Sequence, residues 1–202
     1  MDREAGQANS RRDELLELAA AMFAARGLRA TTVRDIADGA GILSGSLYHH
    51  FSSKEEMVDD LLRGFLDWLF DRYRQILDSK ANPLERLTGL FMASFEAIEH
   101  RHAQVVIYQD EAQRLSGQPR FAYLEDRNKQ QRKMWLDVLN QGIEEGYFRP
   151  DLDVDLVYRF IRDTTWVSVR WYQPGGPLTA EQVGRQYLAI VLGGITANKK
   201  GV

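Results

Sequence analysis

The sequence predicts an all-α protein of about nine helices, and three observations carry that prediction. Apolar residues recur three and four positions apart along nearly the whole chain, runs of alternating β-branched residues are scarce, and capping signals with glycine or proline punctuate the periodic segments. At 202 residues, with 44% hydrophobic and 27% charged side chains, the chain is long enough to bury a substantial core.

Each element has its own warrant. Leu15, Leu16, Ala19, Met22 and Phe23 share one stripe of a first helix, which Gly27 closes. The Thr32 hydroxyl caps a second helix that turns Val33, Ile36 and Ala37 inward and stops at Gly39 and Gly41. After the turn at Ile42 and Leu43, Ser44 is placed to cap a third helix through Phe51, and Ser53-Lys54-Glu55-Glu56 has the form of a capping box. That box opens a long helix at about 53 to 78, apolar along Met57, Leu61, Phe65, Leu69 and Tyr73. Asn82-Pro83-x-Glu85 starts the next helix, to about His100. Further helices follow near 102 to 115, 120 to 145 and 153 to 172, with a last one from Thr179, whose box partner is Gln182, to about Ile195.

Composition excludes several functions. No charge-free stretch reaches the roughly 20 residues a bilayer demands, so no membrane partner is expected. The charged N-terminal stretch lacks a signal-peptide core, which predicts a cytoplasmic location. With no cysteine, disulfides, thiolate metal sites and thiol nucleophiles are ruled out. His100 and His102 diverge around a helix, and His49 and His50 are adjacent, so no metal site is expected. Nucleophile-elbow, dinucleotide and phosphate-loop motifs are missing, so neither an enzyme nor a cofactor is expected. A net charge of −3 means that any nucleic-acid contact comes from a local patch: residues 26 to 54 hold four Lys/Arg against two Asp/Glu.

That segment carries the chemistry. Two short helices about a glycine turn, braced by a first helix, are the parts of a helix-turn-helix. Thr31, Thr32, Arg34, Ser44, Ser46, Tyr48, His49, His50 and Lys54 supply the hydroxyls, rings and cations that meet phosphates and base edges. The residues Gly27-Leu28-x-x-Thr31-Thr32-Val33-Arg34-Asp35-Ile36-Ala37 and Gly41-Ile42-Leu43-Ser44-Gly45-Ser46-Leu47-Tyr48-His49-His50-Phe51-x-Ser53-Lys54-Glu55-Glu56 resemble the TetR family of transcriptional regulators. The resemblance implies a DNA-binding domain at 1–56 and a ligand-binding, dimerising domain at 57–202. It also implies that Thr32, Tyr48, His49 and Lys54 hold phosphates and that Arg34, Gly45 and Ser46 lie near base edges. The implied partners are a double-stranded DNA operator, a second copy of the chain and a small-molecule effector.

Segments 141–151 and 162–172 are similar to a narrower group, the ketosteroid-regulon repressors of cholesterol-degrading actinobacteria. This implies an effector that is a CoA thioester of a ring-degradation intermediate. Independently, on a helix over 153 to 172, Arg159, Arg162, Trp166 and Arg170 fall within about 80° of one another. Such a face suits an anion with a flat apolar body, or is a solvated face paired with Asp155 and Asp163. Phe65, Trp68, Phe70, Tyr73, Phe91, Phe95, Tyr108 and Trp135 line a pocket or fill the core, with Trp68 and Phe65 carried as pocket candidates. Two alternatives stand beside the repressor: an all-α acyl-CoA or lipid carrier or enzyme with an unused reading head, and a TetR-type regulator answering to another apolar ligand.

Overall fold

A computed structural model describes residues 2–197, with side chains from residue 11 onward; residue 1 and residues 198–202, the outer ends of the two expected domains, lie outside it. Among the described residues there are nine α-helices: α1 (Asp2–Arg26), α2 (Val33–Gly39), α3 (Ser44–Leu47), α4 (Lys54–Leu77), α5 (Pro83–His100), α6 (His102–Leu115), α7 (Tyr123–Glu144), α8 (Val154–Val167) and α9 (Ala180–Ile195). Short 3-10 turns stand at Pro119–Phe121 and Ser168–Arg170, and Phe148 forms an isolated antiparallel bridge with Thr196. The fold is all-α, as expected.

Capping explains most boundaries. Gly27 ends α1 at φ +84°, a backbone state that L side chains rarely adopt. Thr32, Asn82 and Thr179 cap α2, α5 and α9, each in a reciprocal box with the residue three positions on. At α4 the Ser53 side chain accepts from the Glu56 amide, but the Glu56 carboxylate reaches back to the Ser52 amide (2.7 Å), one residue earlier than the usual box.

Two expected helices are shorter than their periodicity suggested. α3 stops at Leu47 and is capped by Leu43, not Ser44. Beyond Leu47 the chain tightens to i→i+3 bonds, His49 to Ser46 (3.2 Å) and His50 to Leu47 (3.0 Å), which delivers Phe51 to the core and Ser53 to its extended capping conformation. α8 stops at Val167, where the Ser168 hydroxyl donates to the Thr165 carbonyl and the chain tightens again. That turn buries Val169 and Tyr172, and it takes Arg170 off the face that α8 presents.

The core runs unbroken from the three-helix head into the larger bundle. Phe65, Phe70, Tyr73, Phe91, Phe95 and Trp135 are all core residues at 3% exposure or less, and the Tyr73 hydroxyl is matched to Ser94 Oγ at 2.6 Å. Helix α9 lies so close to α5 that a Cβ on Gly184 would stand 2.9 Å from the Phe95 ring. Helix α4 is continuous across the expected domain boundary, so it ties the head rigidly to the bundle. Among the described residues no helix is long and apolar enough to cross a membrane.

Candidate nucleic-acid interface and groove

The head packs Phe23, Ile36, Ala37, Leu47 and Phe51 inward and leaves one polar surface outward. Arg34, Gly45, Ser46, Tyr48 and His49 are exposed on it, and Ser44 is half-buried. The Arg34 side chain is 84% exposed, with Asp38 3.8 Å away on the same helix. Such a pair contributes at most about 0.5 kcal/mol, so the guanidinium is easily redirected. Thr32 is exposed and uses its hydroxyl in the α2 cap.

One of the expected DNA-facing residues is structural instead, and a second has a structural role of its own. Thr31 is fully buried, its Oγ1 donating to the Gly27 carbonyl at 3.0 Å, so it closes the α1–α2 turn and does not face solvent. Lys54 donates from Nζ to the carbonyls of Leu28 (2.8 Å) and Thr31 (3.0 Å), which fastens the same turn to the start of α4. A residue not singled out from sequence is Leu43, 81% exposed beside α3. An apolar side chain where caps favour Ser, Thr, Asp or Asn was the available signal, because it forgoes about 1 kcal/mol of capping.

A groove of about 580 Å³ opens between α6, α7 and α8. Tyr108 and Gln109 come from α6, Leu124 and Asn128 from α7, Arg162 and Trp166 from α8. Trp166, only 5% exposed, meets the Phe65 ring edge-on at 6.3 Å, and Phe65 in turn packs on Tyr108 at 5.9 Å. Phe65 is thus the layer behind the groove and not part of its lining. Burial pushes the Tyr108 hydroxyl up to about 12, which keeps it a proton donor. Arg162 Nε donates to Asp163 at 2.7 Å, and that carboxylate raises the guanidinium's basicity further. An adjoining depression of about 420 Å³ shares Arg162 and adds Lys129, Arg132, Tyr158 and Arg159.

The structure separates the other two expected ligand residues from this lining. Arg170 sits on the 3-10 turn and pairs with Asp110 at 3.1 Å, since the helix that would have aligned it with Arg162 has already ended. Trp68 lies under the Arg101 guanidinium at 5.8 Å, away from the groove. Tyr108, one of the aromatics expected in a pocket or the core, does line the groove, whereas Asn128, Lys129 and Arg132 were missed because they come from a helix distant in sequence, and no local pattern marks them.

Helix α4 bridges the two regions. Arg12 of α1 stands over the Phe51 ring at 4.4 Å and pairs with Asp60 and Glu56 of α4. Farther along, Arg63 donates to the buried Asp59 at 2.9 Å and covers the Tyr123 ring at 3.9 Å, immediately before the groove residue Leu124. On α8, α9 and the turn between them, Phe160, Trp171, Leu178 and Ile190 are 53 to 73% exposed.

A three-helix reading head with an outward polar face, joined by one helix to a grooved bundle, defines a helix-turn-helix DNA-binding regulator. The chain belongs to the TetR family: residues 15–61 match the model of bacterial regulatory proteins of the tetR family, and residues 80–195 match the tetracyclin repressor-like C-terminal domain. It is 89% identical over 202 residues, all of both chains, to the HTH-type transcriptional repressor KstR2 of Mycobacterium tuberculosis (strain ATCC 25618 / H37Rv). It is 56% identical over 189 residues to KstR2 of Rhodococcus jostii (strain RHA1), covering 94% of this chain and 93% of that one. The solved structure of the ketosteroid transcriptional regulator KstR2 of M. tuberculosis superposes with a TM-score of 0.93, covering 94% of this chain and 97% of that one at 89% identity. The chain is therefore a TetR-family transcriptional regulator, and the curated relatives it matches are named transcriptional repressors, not enzymes.

Proposed function

We propose that the chain represses as a homodimer on a palindromic operator and is released by a small amphipathic effector. The effector we favour is a CoA thioester of a cholesterol ring-degradation intermediate. The carrying observation is the stack of Arg63 on Tyr123, one residue before the groove, because it ties groove and reading head to the same helix. An effector seated on Trp166 and Arg162 pushes on the start of α7, and α4 transmits the displacement to the head.

The exposed Phe160, Trp171, Leu178 and Ile190 on α8, α9 and the turn between them support the dimer, since exposed rings and aliphatic chains are what a second copy covers. Two heads on a two-fold axis then fit half-sites about 34–36 Å apart, or a multiple of that. Lys129, Arg132, Arg159 and Arg162 beside an aromatic floor support a ligand with phosphates at one end and a flat apolar body. The relatives' names, which include a ketosteroid regulator, support the steroid origin. By linkage, effector and operator weaken each other by the same factor, typically 1 to 3 kcal/mol.

The test is fluorescence anisotropy on a duplex from the region upstream of the chain's own coding sequence, titrated with a panel of CoA thioesters. Release by a steroid-derived thioester, lost in Trp166→Ala and Arg162→Ala with unliganded operator affinity intact, is expected. Undiminished release in both variants contradicts the groove assignment.

A further inference from the structure

Leu43 departs from what the fold needs. It occupies the capping position of α3 without a side-chain acceptor, and its isobutyl group is 81% exposed. It is not a loose end, because its carbonyl accepts from the Ser46 amide at 2.9 Å and its backbone is extended at φ −71° and ψ 144°. Its surroundings are cleared. Gly45 is exposed, nothing lies within 4 Å of where its Cβ would stand, and Ser46 beyond it is small and exposed. An apolar group is therefore held at a fixed place on the reading surface with no protein atoms built around it. Burial against a partner is what such a side chain gains from.

The major groove offers an aliphatic carbon one counterpart. Guanine, adenine and cytosine edges present donors and acceptors that leucine would desolvate without replacing, whereas thymine presents a C5-methyl group. We propose that Leu43 is a sequence-reading residue whose isobutyl group packs on a thymine C5-methyl in each operator half-site. This adds an apolar reading to the polar ones of Arg34 and Ser46, and it rests on the head binding operator DNA in the major groove.

Replacing dT by dU removes only the methyl. The experiment measures wild-type chain and Leu43→Ala on the upstream duplex, with each dT of one half-site changed to dU in turn. One position is expected at which dU weakens the wild type about fourfold, the worth of one buried methyl, while Leu43→Ala binds dT and dU equally. Leu43→Ser, which restores a capping hydroxyl, is expected to melt no lower than wild type and also to lose the dT preference. The inference is overturned if no dU position affects the wild type, or if Leu43→Ala retains the full dT preference. If the wild type does not distinguish the upstream duplex from random DNA, operator reading by the head fails as well, an outcome distinct from the first two.

Discussion

On the reading surface Arg34 is 84% exposed and stands 3.8 Å from Asp38, whereas at the groove Arg162 is held by Asp163 at 2.7 Å and nearby Arg170 by Asp110 at 3.1 Å. The apolar groups are inverted too: Leu43 and Tyr48 project outward on the head, while Trp166 and Phe65 are sunk into the bundle. The head is thus preset for a large, rigid, polyanionic partner. The groove has cations already answered by carboxylates, so a ligand must displace those carboxylates and fill apolar space at once. Displacement is cheap, because partly exposed pairs contribute only about 0–1 kcal/mol.

The largest expected effect comes from removing the layer behind the groove. Phe65→Ala deletes a fully buried ring touching both Trp166 and Tyr108, and denaturant unfolding is expected to show about 3–5 kcal/mol of lost stability. A loss under 1 kcal/mol would show that the groove floor stands without it. Next, Lys54→Ala removes charge-assisted bonds to the Leu28 and Thr31 carbonyls, with about 1.5–3 kcal/mol of destabilisation expected in thermal melts. Unchanged stability with a salt slope shallower by about 1 would return Lys54 to the phosphate role that the resemblance implied.

Gly45→Ala sharpens the comparison from the other side. Space is open around its Cβ position, so stability is expected to hold or rise by up to about 1 kcal/mol, while operator affinity falls because the backbone no longer approaches the DNA. Unchanged affinity in a gel shift would remove Gly45 from the interface.

The smallest effect is in acid. The Tyr172 hydroxyl, and then the Ala180 amide at 2.8 Å, hold the Glu99 carboxyl below its ordinary value of 4.5. Its folded value lies below its unfolded one, so the stabilisation is complete above about pH 4.5 and is lost as the pH falls through the folded value. Glu99→Gln is expected to be less stable at neutral pH and to show a flatter acid limb; an unchanged limb contradicts this.

The head was legible in the sequence because its parts are contiguous. Gly27, Thr32, Gly41 and Ser53 mark turns and caps within 27 residues, and each acts on its immediate neighbours. What was misread there, Thr31, carried the right chemistry with the wrong orientation, because its hydroxyl turns inward to the Gly27 carbonyl. The groove was half legible. Arg162 and Trp166 share a helix and came together as periodicity dictates, but Arg170 was misplaced because a serine hydroxyl and two buried side chains end α8 early. Tyr108 was named only as pocket or core, and Asn128 not at all, because they join the groove through the packing of α6 and α7 on α8, which no window of sequence contains.

In the mechanism proposed above, filling the groove moves two linked reading heads. The chain has no cysteine, so Ala30→Cys, at an exposed position in the α1–α2 turn, accepts a spin label at one place per subunit. Pulsed dipolar spectroscopy is predicted to give one narrow label–label distance on operator DNA and a clearly shifted distance with a releasing CoA thioester, with no shift in Arg162→Ala. Operator release at an unchanged distance, or no dipolar signal at all, would contradict it.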